Sequence, residues 1–355
     1  MDVAGILQNA VNCGASDVFV VAGMPVTYKI NGKVERTADG IMLPEQTRQF
    51  VEGVYQCAGD RDISKLLVKG DDDFSFALKG ISRFRASAYK QRGSLAIVIR
   101  VVRFTLPDPA ELNIPNTVLE LSNLSKGLVL VTGAAGSGKS TTLACLIDRI
   151  NRTQNGHIIT LEDPLEFLHS HNKSIVSQRE VPEDTESYVT ALKAALRQSP
   201  DVILLGELRD YDTINVAMTA AETGHLIFST LHTVGAVHSI DRIIDAFQPN
   251  QQHQIRMQLA MVLQAVVSQQ LVPTVDGKEI PAFEIMIANN AIRTMIREAK
   301  THQLENAIVA GAAEGMITMD NSLLQLYKAG KITEETALSY SSSPETLKKK
   351  LNISK

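Results

Sequence analysis

The sequence predicts an α/β protein in two parts: a small α/β module containing a meander of antiparallel strands, then a larger domain on an open parallel sheet. Three observations carry this reading. Gly133-Ala134-Ala135-Gly136-Ser137-Gly138-Lys139-Ser140 fits the phosphate-loop pattern in full, with an apolar β-branched run at 127–132 before it and a helix-like run from Thr141 after it. Further buried-strand runs follow at 157–161, 201–205 and 226–231, with helical pattern between them. Ahead of the loop, strand-like segments at 74–78, 83–89 and 95–100 succeed one another too closely for crossover helices.

The loop's chemistry explains its spelling. Gly133, Gly136 and Gly138 let the backbone curl around a polyphosphate. Successive N–H groups, including that of Ser137, and the positive end of the helix dipole then face its oxygens. Lys139 is placed to reach the β and γ phosphates, the Ser140 hydroxyl to take one position on a hydrated magnesium ion, and Thr141 to line the same turn. ATP and Mg2+ are therefore the expected ligands.

The whole chain sets bounds on the rest. Its 355 residues suggest two domains, and 44% hydrophobic and 21% charged residues are ordinary for a soluble protein. A formal net charge of -4 gives no nucleic-acid-binding field, although a local basic channel stays open as a possibility. Cys13, Cys57 and Cys145 form no CxxC pair, so neither zinc nor a disulfide framework is expected, and a reducing cytoplasmic compartment fits. No basic, apolar leader opens the chain and no apolar run approaches the roughly 20 residues of a membrane span. Any membrane role is then expected through partners, without direct insertion.

Taken in order, residues 1–105 form the small module. Strands are expected at 17–21 and 26–30, a hairpin turn at Asn31-Gly32, and a helix at 44–57 with Pro44 in its first turn. With Phe84, Ala86 and Ala88 facing the core, Arg83 and Arg85 project together from the other face. Arg100 ends the neighbouring strand and Arg92 and Arg103 flank it; these cations either form a solvated outer face or meet a nucleotide held elsewhere. Pro107, Pro109 and Pro115 make 106–116 a stiff linker to a domain at 117–355.

In an open parallel sheet ligands gather at the carboxyl ends of the strands. There the 157–161 strand ends in Glu162-Asp163-Pro164, making Glu162 a candidate for holding magnesium through water or orienting the attacking water. Asp163 either joins it or caps the turn before Pro164. The 201–205 strand ends in Gly206-Glu207-Leu208-Arg209-Asp210; Gly206 replaces the usual aspartate, leaving Glu207 as the first carboxylate to approach magnesium and to serve as general base or water-positioning group. His232 ends the next strand, where a polar residue can sense the γ phosphate or be merely structural, and His225 before that strand is a further nucleotide-binding candidate. Beyond it the pattern is helical at 254–270, 288–299, 303–310, 321–328 and 334–339, and Ser341-Ser342-Ser343 with Lys348-Lys349-Lys350 reads as a loosely held tail.

Four motifs thus stand in order: the phosphate loop, Ile159-Thr160-Leu161-Glu162-Asp163-Pro164-Leu165-Glu166-Phe167, Ile203-Leu204-Leu205-Gly206-Glu207-Leu208-Arg209-Asp210, and Ser229-Thr230-Leu231-His232-Thr233. The set resembles the Walker A, Asp box, atypical Walker B and His box of the type II secretion and type IV pilus ATPases, over essentially the whole chain. Ala291-Ile292-Arg293-Thr294-Met295-Ile296-Arg297-Glu298 resembles the AIRNLIRE motif of the retraction branch, departing at Thr294 and Met295; Val234 and Ala134-Ala135 also depart from the family's usual residues. The resemblance implies a PAS-like amino-terminal domain and a RecA-like ATPase domain with carboxy-terminal helices, assembled as a hexamer. It further implies that Arg85 and Arg100, with Arg83 and Arg209 less directly, bring positive charge to the phosphates. The implied function is ATP hydrolysis that powers pilus retraction and twitching motility, acting on an inner-membrane platform protein from the cytoplasmic face. A pilus or secretion assembly ATPase, and more distantly a RecA-type nucleic-acid motor, are the alternatives.

Overall fold

The protein is described by a computed structural model covering residues 2–30, 32–38, 40–102, 106 and 108–353, with the side chains of 352 and 353 left aside. Asn31 of the expected hairpin turn, and Arg103 and Pro107 near the expected linker, lie outside the described residues. By internal contacts the chain divides into Met1–Thr105 with Glu166–Leu168, and Leu106–Leu165 with His169–Lys355. Both units are α/β, as the sequence leads one to expect.

The first unit carries β1 (Asp17–Val20), β2 (Thr27–Ile30), β3 (Lys33–Arg36), β4 (Asp71–Leu78), β5 (Ser82–Gln91) and β6 (Ser94–Val102). They form one antiparallel sheet in the order β3-β2-β1-β6-β5-β4. Period-two alternation buries Phe84, Ala86 and Ala88 of β5 against Phe50 and Val54 of the helix Pro44–Cys57. Arg83 and Arg85 consequently occupy the opposite face of that strand, and Arg85 stands directly across from Arg100. Pro44 sits in the first turn of its helix, where a missing N–H costs nothing.

The second unit carries β7 (Gly127–Thr132), β8 (His157–Glu162), β9 (Ile175–Glu180), β10 (Val202–Leu205), β11 (Leu226–Leu231), β12 (Leu263–Pro273) and β13 (Glu279–Ile287). Their order is β13-β12-β7-β11-β10-β8-β9, parallel except for the β12–β13 pair. Every residue of β7 is buried, because helices cover both faces of the sheet. Val129 and Val131 pack under Leu143, Leu146, Ile147 and Ile150 of the helix Lys139–Thr153; Leu128 and Leu130 join the opposite layer with Ile214, Ala217 and Ile240. Ile114 packs into the first of these layers, with Leu112 against it, so this proline-bounded stretch is seated on the second unit.

Two expectations are corrected here. The helix expected at 254–270 is the helix Gln252–Val262 followed at once by β12, which pairs with β7 on one side and β13 on the other. The tail is not loose: residues 344–353 form a helix whose Leu347 and Leu351 are fully buried beside Met319 and Leu323. Ahead of it Asp320 accepts hydrogen bonds from the Ser341 hydroxyl (2.9 Å) and the Ser342 and Ser343 amides (2.8 and 3.2 Å). The serine run is thus an Asp-bound helix entry. Leu347→Ala should lower unfolding stability by about 2–5 kcal/mol in denaturant titration, while the exposed Lys349→Ala should change it by under about 0.5 kcal/mol.

Candidate nucleotide site at the carboxyl edge of the parallel sheet

Because β12, β7, β11, β10 and β8 run parallel, their carboxyl ends share one edge. Across that edge the chain places the phosphate loop after β7, His232 after β11, Glu207 after β10 and Glu162 at the end of β8. Four motifs scattered over a hundred residues of sequence become neighbours through strand order alone.

The loop opens the helix Lys139–Thr153, with Gly133, Gly136 and Gly138 all at positive φ. At Gly133 (φ 143°) a Cβ would lie 2.3 Å from the carbonyl oxygen of Gln269, so the position admits only glycine. Lys139 is 8% exposed, and its ammonium donates to the carbonyls of Gly133 (2.9 Å) and Ala134 (2.8 Å). It therefore stands within the loop's concavity, with Ser140 and Thr141 half-buried in the first turn behind it.

Glu207 is 9% exposed although it carries a carboxylate. The turn that holds it is tied on both sides: Gly206 N–H donates to Leu161 O (2.8 Å), Leu208 N–H to Thr230 O (3.0 Å), and the Thr230 hydroxyl to Gly206 O (2.6 Å). Arg209 Nε donates to Glu207 Oε1, and His232 Nε2 lies 3.3 Å from Oε2. Arg209 and Glu207 form a charge pair whose hydrogen bond and Coulomb attraction raise the guanidinium pKa further. The sequence-derived trio of Glu207, Arg209 and His232 is thus one contact cluster.

Tyr188 is the residue that sequence reading missed. A Cβ on Gly206 would lie 2.6 Å from the Tyr188 hydroxyl and 3.2 Å from Leu161 O, so a side chain here would have to displace the phenol. Burial first, then the charges of Asp163, Glu207 and Glu162, push the Tyr188 pKa well up, so the phenol keeps its proton beside the acidic cluster. The sequence carries only one signal for it, a place at the start of the helix Tyr188–Ala195 beside the apolar stripe of Ala191, Leu192 and Ala195.

His225 is not brought to this edge by the structure. It precedes β11 at the amino end of the sheet, one six-residue strand or about 20 Å from the phosphate-loop edge. Its backbone carbonyl accepts from Gly127 N–H (3.0 Å), and its Nδ1 lies 3.0 Å from Ala220 O, closing the end of the helix Tyr211–Glu222. Arg85 and Arg100 belong to the first unit, where Arg100 Nε donates to Asp17 Oδ1 at 2.9 Å.

The donors present suit magnesium, a hard cation that keeps waters and phosphate oxygens around it. Ser140 supplies a hydroxyl, Glu162 and Glu207 carboxylates, and the buried hydroxyls of Thr132 and Ser137 have no hydrogen-bond partner among the described residues. Ser140, in the first turn of the loop's helix, could touch the ion directly, and the carboxylates of Glu162 and Glu207 could reach it through water.

A family model for the type II/IV secretion system protein matches residues 2–350. The chain belongs to that family. Among its relatives, the type IV pilus retractation ATPase PilT of Pseudomonas aeruginosa is 41% identical over 346 residues, covering 97% of this chain and 99% of the relative. A twitching motility protein of Neisseria gonorrhoeae is 42% identical over 321 residues, 90% of this chain and 85% of the relative. A crystal structure of the pilus retraction motor PilT with bound ADP superposes with a TM-score of 0.89 at 44% identity, covering 98% of this chain and 99% of that one. Among the described residues no helix is long and apolar enough to cross a membrane.

Three substitutions check the geometry. Gly206→Ala should cost about 1–3 kcal/mol in thermal unfolding and slow ATP turnover, and Tyr188→Phe in the same chain should restore much of both by removing the clashing oxygen. His225→Ala should leave ADP affinity within about twofold by calorimetry, since the ring lies at the far end of the sheet.

Proposed function

We propose that the protein is a ring-forming ATPase that powers type IV pilus retraction. The observation that carries the reading is the shared edge on which a lysine-filled phosphate loop adjoins a buried, cation-bound glutamate, in a chain similar over nearly its whole length to a pilus retraction motor that binds ADP.

ATP is bound with its phosphates in the loop, met by backbone N–H groups and the helix dipole. Lys139, which donates to two loop carbonyls, is near enough to exchange them for phosphate oxygens as the triphosphate settles. Ser140, with waters, would hold magnesium, which when bound would neutralise phosphate charge. Glu207 orients a water for attack on the γ phosphorus and draws off its proton, and Arg209 and His232 hold the carboxylate for that task. The products are ADP and inorganic phosphate. Glu162 orders the water shell from the next strand.

Arg85 and Arg100 of the first unit supply positive charge to the phosphates, and Arg83 supports them. Such charge is worth roughly 10³ to 10⁵ in rate in comparable phosphoryl transfers. Six copies form the working ring, and differential nucleotide contact between open and closed states drives their motion. The ring works on the cytoplasmic face against a membrane-embedded platform protein, and nucleic acid is not its substrate.

Turnover per chain should rise with protein concentration as light scattering reports assembly toward a hexamer. Arg85→Ala should lower turnover about 10³-fold while leaving the mass unchanged. A fully active monomer indifferent to Arg85 would instead describe a self-contained nucleotide enzyme. In cells, deletion of the gene should leave pili present but unable to retract; bald cells would favour the assembly reading.

A further inference from the structure

Beneath the phosphate loop lies one polar side chain that the hydrolysis chemistry does not use. Gln269 of β12 is 3% exposed and sits on the strand next to β7, where Ser268 is in register with Thr132. It meets the loop at three points. Its backbone carbonyl occupies the space that a Cβ on Gly133 would need, at 2.3 Å. Its Nε2 occupies the corresponding space on Gly138, at 2.7 Å. Its Oε1 accepts a 2.7 Å hydrogen bond from the hydroxyl of Thr142, itself 1% exposed in the first turn of the loop's helix.

A threonine in a helix ordinarily turns its hydroxyl back on the carbonyl four residues earlier. For Thr142 that carbonyl is Gly138 O, which accepts the Thr142 N–H at 3.0 Å, while the hydroxyl goes to Gln269 instead. One residue therefore fixes the first glycine, the last glycine and the first helical turn of the loop relative to the sheet. Gly133 N–H donates to Leu231 O (3.2 Å) and Thr142 N–H to Gly138 O, so Gln269 braces the two ends of the loop; the value of the phosphate-facing amides between them depends on being aimed before the ligand arrives.

We propose that Gln269 is a positioning residue for nucleotide binding: through Thr142 and Gly138 it holds the phosphate loop in its phosphate-accepting shape. It touches neither the nucleotide nor the attacking water, so it sets affinity and not the rate of the bound state. The inference rests on the phosphate loop being the nucleotide site.

The test compares Gln269→Leu, Thr142→Val and Thr142→Ser with the unaltered chain. Thr142→Val is isosteric and keeps the packing if the leucine variant folds poorly. Calorimetry with ADP should show Kd raised about tenfold in Gln269→Leu and Thr142→Val, with KM for ATP rising alike and kcat at saturation changing less than about threefold. The double variant should be no worse than either single one, and Thr142→Ser, which keeps the hydroxyl, should bind like the unaltered chain. Affinities that stay within twofold in Thr142→Val, losses that simply add, or a fall in kcat with KM unchanged would overturn the proposal. An unaltered chain that fails to bind ADP would remove the nucleotide-site reading itself, and this inference with it.

Discussion

Burying a carboxylate at the end of a strand is costly unless charge and hydrogen bonds meet it, and Glu207 is buried in this way. Much of the surrounding structure follows from that constraint. Arg209 and His232 each take one oxygen, and the turn carrying Glu207 is tied to β8 through Leu161 and to β11 through Thr230. The strand neighbours that supply these bonds also carry Glu162 and His232, so the demand for partners and the assembly of a reactive edge are one arrangement. Gly206 fits the same picture, since the Tyr188 phenol fills the space a side chain would take.

The carboxy-terminal helices are joined to this edge by a second buried carboxylate. Glu284 of β13 accepts the Ala236 amide at 2.8 Å through Oε1 and the Met319 amide at 3.3 Å through Oε2. Ala236 begins the helix Ala236–Asp245 directly after the His232 loop, and Gly235 beside it donates to Ser268 Oγ at 2.9 Å. The loop bearing His232 and the helix Met319–Lys328 therefore share one anchor on β13. β12, which lies between β13 and β7, braces the phosphate loop from the other direction through Gln269.

The reactive edge was legible because each of its parts is local. A glycine-rich turn after an apolar run, and an acidic or histidine residue at the end of another, need no knowledge of strand order to be recognised. What the sequence hid depends on partners far along the chain. Residues 263–273 continue an apolar pattern begun by a real helix, and a fully buried strand has no period of its own to separate it; pairing with β7 and β13 decides the matter. That misreading concealed Gln269 as well. His225 lay near a motif in sequence, yet a six-residue strand separates its end of the sheet from the reactive one. The serine run looked like a flexible tail until Asp320, about twenty residues earlier, supplied its acceptor. In the first unit the alternation of Phe84, Ala86 and Ala88 with Arg83 and Arg85 was fully readable, because period two is written in the residues themselves.

Hydrolysis depends on Glu207 acting on water, while the phosphate loop holds the nucleotide whether or not that carboxylate is present. Glu207→Gln keeps the side chain's shape and removes its basicity, so ADP binding by calorimetry and ATP turnover should be measured on the same preparation. ADP affinity within about threefold of the unaltered chain, together with turnover lowered by about 10² to 10⁴, is the result expected. Turnover equal to that of the unaltered chain, with ADP still bound, would mean that another group drives hydrolysis.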